Sequence, residues 1–311
     1  MKSFVSIIIF YFLLLFVSAA VAQEAPRNKV IITGVRFAYP LVEKWIQDYK
    51  TVNPSTEIII ESRTVNDPDK YDLLIEAYEQ DPTVKETRDY LNFGRYALLP
   101  VANASSAFAL TYQKKGLTKN QIKLLYFHDI LSEKNEDDQI TIPVTVYTRL
   151  QKAGAPTTFA RYYGYEQQNI KGKAIGGADE HLIKAVLKDS SGISFASLSL
   201  VYDRQSRGIV PGLAVIPADL DDNNRVSESE KDYASLDHVI QLLEEKERKN
   251  IPVEYLHLSI GKLNTNTDAL KFLLWVIDNG QADLNTFGFL KPELKRFESD
   301  KEKFEQRASR K

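Results

Sequence analysis

The sequence has no cysteine, and its single methionine is Met1. The missing thiols exclude disulfide scaffolds, thiolate zinc sites, iron–sulfur clusters and cysteine nucleophiles together. Histidine is scarce: His128, His181, His238 and His257 share no metal-ligand spacing, so surface or packing roles are assigned to them. Neither sign of charge dominates. With 40 basic and 42 acidic side chains the formal net charge is −2, which argues against a nucleic-acid coat or a polybasic membrane binder. Internal repeats and low-complexity segments are also absent, and only the amino terminus carries a long apolar run.

That run follows Lys2 and extends from Phe4 to Val17 without a charge. It is shorter than the ~20 residues a membrane-spanning helix needs. It closes in Ala20-Val21-Ala22 before Gln23, the small-residue pattern of a signal-peptidase site. The expectation is a signal peptide at residues 1–22, cleaved after Ala22, and an exported mature chain. No cysteine is available for a lipid anchor. At 43% hydrophobic and 26% charged, the chain has the composition of a folded globule. Its 311 residues suggest about two domains.

The mature chain opens β-α-β. Lys29–Ile32 reads as a buried strand ending at Gly34, Pro40–Tyr49 as an amphipathic helix with Leu41, Trp45, Ile46 and Tyr49 on one face, and Glu57–Glu61 as a second strand. Further strands are expected at Tyr96–Val101, Ile142–Arg149, Gly192–Phe195 and Leu213–Ile216. Thr118 and Gln121 form a capping box before a helix through Tyr126, and Asp268–Asn279 is a helix stopped by Gly280. After Lys291 the chain is highly charged and reads as a surface helix that frays. Strands alternating with helices imply α/β layers around a mainly parallel sheet.

Asp219–Glu230 matches the twelve-residue EF-hand template at most ligand positions. Side-chain oxygens stand at Asp219, Asp221 and Asn223, a backbone carbonyl at Arg225, and a carboxylate at Glu230. The sixth position is Asn224 rather than glycine, and asparagine tolerates the left-handed turn required there. A structural calcium ion (Ca2+) is the expected cofactor; the alternative is an acidic, solvated turn. Gly172–Ala178 is glycine-rich but lacks both the P-loop and the dinucleotide patterns, so a hinge or cleft rim is assigned to it, before a helix starting at Asp179-Glu180. The sequon Asn103-Ala104-Ser105 is read as incidental.

Four ordered stretches carry a resemblance. They are Gly34–Trp45, with an aromatic residue before a Pro40…Lys44-Trp45 helix; Gly116–Phe127, with Gly116-Leu117-Thr118 and Gln121; Gly192–Phe195; and Phe272–Trp275 with Gly280-Gln281 and Gly288-Phe289. With these, the mature chain resembles the phosphate ABC-transporter substrate-binding protein family, of the type II periplasmic binding proteins, as a divergent member.

The resemblance implies a bilobed α/β fold, two lobes joined by two crossovers with a ligand cleft between them. Residues 28–101 with 214–298 would form one lobe, 102–213 the other, and 299–311 a charged tail. It also implies a monomer that takes phosphate or a related anionic solute and delivers it to a membrane permease. Carried over residue by residue, the ligand set would be the backbone at Arg36 and Phe37, hydroxyls of Ser62 and Thr64, Asp72 as acceptor, Arg149, and Thr157 and Thr158 before a helix. Arg36 stands where the family has a small hydroxyl residue, and Lys152 opens the stretch that replaces its arginine loop; these two extra positive charges suit a larger or more highly charged anion. Two other classes stay open: a sensor or interaction protein built on the same lobes, and a secreted phosphoester-processing enzyme with Asp72 as base.

Overall fold

A computed structural model describes residues 28–62, 65, 67–78, 82–128 and 138–310. The expected signal peptide and Thr64 lie outside the described residues. Among the described residues nine strands form one mixed sheet: β1 Asn28–Gly34, β2 Thr56–Ile60, β3 Leu73–Glu76, β4 Arg88–Asn103, β5 Thr145–Arg149, β6 Lys173–Ile175, β7 Gly192–Ser197, β8 Leu213–Val215 and β9 Val253–Gly261. Their order is β2-β1-β3-β9-β4-β7-β5-β6, with β8 also on β4.

The helices of two turns or more are α1 Tyr39–Val52, α2 Ala107–Lys115, α3 Lys119–Tyr126, α4 Gly154–Tyr162, α5 Glu180–Lys188, α6 Leu236–Glu245, α7 Thr267–Asn279 and α8 Leu294–Ser309. No helix among the described residues is long and apolar enough to cross a membrane.

Two α/β lobes share this sheet, and the long strand β4 joins them. Its first part, Arg88–Ala97, pairs antiparallel with β9, through an irregularity between Asn92 and Gly94. From Leu98 it pairs instead with β7 and from Val101 with β8. The chain crosses back after β8 to reach β9. The sheet is therefore mixed where a mainly parallel one was expected: β1–β2, β1–β3, β5–β6 and β5–β7 are parallel, but every pair made by β4 or β9 is antiparallel. A strand that returns after a long excursion carries no mark of its direction in its own residues.

The local reasons for the opening unit are plain. Pro40 sits in the first turn of α1, where a missing N–H costs nothing. Leu41, Val42, Trp45 and Tyr49 are buried on one face of that helix, and the Trp45 indole donates to the Gly280 carbonyl at 3.1 Å while meeting Phe93 edge-on at 5.2 Å. The Thr118–Gln121 capping box forms as expected.

The charged carboxyl-terminal segment does not fray: α8 buries Phe297, Asp300 and Phe304, and Arg307 donates to Asp89 and to the Gly261 and Asn264 carbonyls. Three buried positions among many charges gave too sparse an apolar stripe to read from composition. Asn103 is also committed, its amide donating to the Val186 and Leu187 carbonyls.

Candidate functional site

The parallel strands β1, β3 and β5 end at a common cavity of about 510 Å³, in the crevice beyond strand carboxyl ends where α/β sheets place ligands. Gly34 makes this possible. Its φ is +130°, and a Cβ there would lie 2.1 Å from the Ile75 carbonyl oxygen, so only glycine lets β3 pass this close as the chain turns into the cavity. Gly154, opening α4, approaches the chain just beyond β3 in the same way: a Cβ would lie 2.5 Å from that of Ala77.

Four cationic side chains, Arg36, Arg88, Arg149 and Lys152, line the cavity against two acidic ones, Glu76 and Asp179. They form two groups. Arg149, at the end of β5, donates through Nη1 to Asp179 Oδ1 at 2.5 Å, beside the start of α5. Arg149 Nε is buried with no hydrogen-bond partner among the described residues. Burial raises the Asp179 carboxyl pKa, a shift that Arg149 and, more weakly, Arg36 oppose. In the second group, Arg88 donates from Nε to Ser259 Oγ and from Nη2 to the Ser259 carbonyl, each at 2.9 Å, and Ser259 Oγ donates to Glu76 Oε2 at 2.6 Å. Two aromatic walls complete the cavity. The Arg88 guanidinium lies 5.3 Å from the Tyr71 ring, and Lys152 and Arg161 lie 5.6 and 5.5 Å from that of Tyr78.

Of the ligand residues expected from sequence, the structure brings Arg36 and Arg149 to this cavity, with Lys152 beside them. Phe37, whose backbone N–H is the expected donor, follows Arg36 directly, with its ring buried against Tyr96 and Phe289 at 5.1 and 6.2 Å. The remaining described ones lie outside the lining. Ser62 is exposed and outside the lining. Asp72, expected as acceptor or base, instead takes the Ile31 N–H at 2.9 Å and the Asn264 amide at 3.1 Å, so its carboxylate ties β1 to the loop after β9. Thr157 and Thr158 are buried within α4. The Thr157 hydroxyl donates to Gln167, and that of Thr158 donates to the Ala77 carbonyl and accepts from Tyr96.

Sequence reasoning missed Glu76, Arg88, Tyr71 and Tyr78. Only a four-residue strand, β3, puts Tyr71, Glu76 and Tyr78 at the cavity, and a strand that short has no periodicity to read.

The Asp219–Glu230 loop gathers three carboxylates, Asp219, Asp221 and Glu230, with oxygens within 4.8 Å of one another. Asp219 is fully buried; its Oδ1 accepts the Asp221 and Asn223 N–H groups and its Oδ2 accepts Asn224 N–H at 2.7 Å. Glu230 accepts from the Leu220 and Ser227 N–H groups, each at 2.7 Å. Asn224 adopts φ +64°, the left-handed turn expected of it. Asn223 and Arg225 belong to the same turn, the Arg225 N–H donating to Asn223 Oδ1 at 2.9 Å. The loop leads into a short 3-10 turn, Glu228–Glu230, and the following helix begins only at Leu236.

No protein-family model matches the sequence, and no curated protein matches it. Solved structures share the fold. A phosphate ABC transporter substrate-binding protein with bound phosphate from Clostridium perfringens superposes with TM-score 0.60 at 14% identity, over 86% of this chain and all of that one. An ABC-type phosphate transport receptor from Vibrio cholerae gives TM-score 0.57 at 13% identity, over 85% of this chain and all of that one. A phosphate-binding protein from Planctomyces limnophilus gives 0.51 at 12%, over 91% and 98%. The chain thus has the bilobed fold of type II periplasmic binding proteins.

Proposed function

We propose that this chain is an exported binding protein that takes phosphate or a related anionic solute into the cavity between its lobes and hands it to a membrane ABC-transporter permease. The observation that carries the reading is Arg149, whose Nε is buried and has no partner among the described residues, at a cavity also lined by Arg36 and Lys152. A buried guanidinium with an unused donor is stabilised by an anion that takes that donor, and charge-assisted bonds of this kind are the strong ones. Asp179 neutralises only part of this positive group.

The reading is binding rather than catalysis: the Ser259 hydroxyl that meets Glu76 also accepts from Arg88, so the pair is engaged within the sheet rather than poised as nucleophile and base. Residues 1–22 act as the export signal and the chain works as a monomer.

Calorimetry of the chain from Gln23 onward, titrated with inorganic phosphate and with phosphate monoesters, tests this. At least one is expected to bind, and Arg149→Gln and Arg36→Ala, each checked for an unchanged melting temperature, are expected to weaken it by about tenfold or more. Absence of any anion binding, or equal affinity in both variants, would overturn the assignment.

For the Asp219–Glu230 loop we propose calcium as the occupant. Support comes from the three converging carboxylates and from Asn250 beside them. This residue is 1% exposed, its amide donates to the Asp219 carbonyl at 2.7 Å, and its Oδ1 has no partner among the described residues. Calcium that binds the folded state must raise the melting temperature relative to chelator. No change at millimolar calcium would remove the proposal.

A further inference from the structure

We infer that the cavity takes a phosphate monoester of a small hydroxyl-bearing molecule in preference to inorganic phosphate; this rests on the anion-binding reading above and names its ligand class. Three observations carry it. The first is size: about 510 Å³ falls in the range of sites that bury whole organic ligands, and a bare tetrahedral ion fills only a corner of it.

The second is the arrangement of charge. Among the described lining residues, Arg36, Arg149 and Lys152 make a cationic group that Asp179 relieves, whereas Arg88 is matched by Glu76 through Ser259. One part of the lining therefore attracts an anion. The other is internally neutral and sets Glu76 at the wall, a buried carboxylate whose charge repels a second anionic group. A free polyanion meets that repulsion, but a ligand with its charge confined to one end avoids it.

The third is the Tyr71 ring, held by the Arg88 guanidinium against one side and lining the cavity beside Glu76. It offers a flat face of the kind on which the C–H faces of a polyol or sugar ring pack, and a single oxyanion makes no use of it.

The test is calorimetry of the full mature chain with inorganic phosphate, glycerol 3-phosphate, glucose 6-phosphate and unphosphorylated glucose. At least one monoester is expected to bind about tenfold or more tighter than inorganic phosphate, and glucose alone not to bind. Glu76→Gln should remove most of the monoester's advantage over inorganic phosphate. Should Glu76→Gln unfold, Tyr71→Ala takes its place with the same expectation. Inorganic phosphate binding as tightly as every monoester overturns the inference and leaves the anion-binding reading standing. A loss at Glu76→Gln that is equal for both ligand types overturns it too, and no binding by any phosphate compound overturns both.

Discussion

Arg149 Nη1 and Asp179 Oδ1 meet at 2.5 Å, joining the carboxyl end of β5 to the first turn of α5 at the edge of the cavity. Asp179 therefore competes with any bound anion for the same guanidinium. Because burial raises its carboxyl pKa, this competitor is the first of the pair to lose its charge on acidification. Sulfate, which stays a dianion across the range, is the suitable probe. Its affinity is expected to rise as pH falls through the raised Asp179 pKa, and Asp179→Asn should bind it tightly with a flat profile. Weaker sulfate binding at low pH would remove the competition. The stability linkage has the same sign. A carboxyl group whose folded pKa is raised above 3.8 makes the fold less stable as pH climbs from that value to the folded one, and Asp179→Asn loses that slope.

Asp189 shows the opposite sign. Its Oδ1 accepts from the Ser191 N–H and hydroxyl at 2.9 and 2.8 Å, and Oδ2 from the Tyr147 hydroxyl at 2.8 Å, pinning the turn between α5 and β7 onto β5. These bonds, the Ser191 backbone bond first, lower its pKa from 3.8 to about 2. The stability they contribute is present above 3.8 and lost as pH falls through about 2. Discounted for solvent exposure, Asp189→Asn should cost roughly 1 kcal/mol at neutral pH. Urea melts should show that difference shrinking between about pH 4 and about pH 2. A difference constant in pH would mean the bonds do not depend on the charge.

Gly34→Ala separates close approach from mere backbone strain. The new Cβ would stand 2.1 Å from a β3 carbonyl oxygen at φ +130°, so the pairing that shapes the cavity must give way, at a cost of about 3 kcal/mol or more. Gly164 has φ +85° with nothing within 4 Å of a Cβ, and Gly164→Ala should cost only the left-handed penalty of about 1 kcal/mol. Chemical denaturation of the two variants compares them directly. Equal losses would show that contact with Ile75 does not decide the first.

How far the sequence reached follows from the same residues. Gly34, Trp45, the Thr118 cap and the strand before Arg149 were legible because each is announced by neighbours a few positions away. Arg36 and Arg149 were placed by resemblance, and both stand at the cavity. Asp72 was placed by resemblance too, but a carboxylate at the edge of a strand bonds whichever backbone donor lies nearest, here that of Ile31. Arg88, Glu76 and Ser259 come from three strands, and only the antiparallel insertion of β9 between β3 and β4 brings them together. No spacing in the sequence encodes that juxtaposition, and the inference of a monoester ligand depends on it.

The docking of α8 rests on one buried carboxylate. Asp300 is 4% exposed, and its Oδ2 accepts from the Asn92 backbone N–H at 2.9 Å and from the Asn92 side-chain amide, where the ladder between β4 and β9 is irregular. An irregularity leaves backbone donors without ladder partners, and this helix supplies the acceptor. Asp300→Ala leaves the buried Asn92 N–H without its acceptor and should cost about 2 kcal/mol. Asp300→Asn, which keeps an acceptor of the same reach, should cost less, about 1 kcal/mol. Hydrogen exchange supplies the local readout: the Asn92 amide is expected to exchange faster in Asp300→Ala than in Asp300→Asn, and the amides of α8 to lose protection with it. Equal stabilities for the two variants would show that the helix is held by Phe297, Phe304 and the Arg307 contacts, and that the carboxylate is incidental to its place on the sheet.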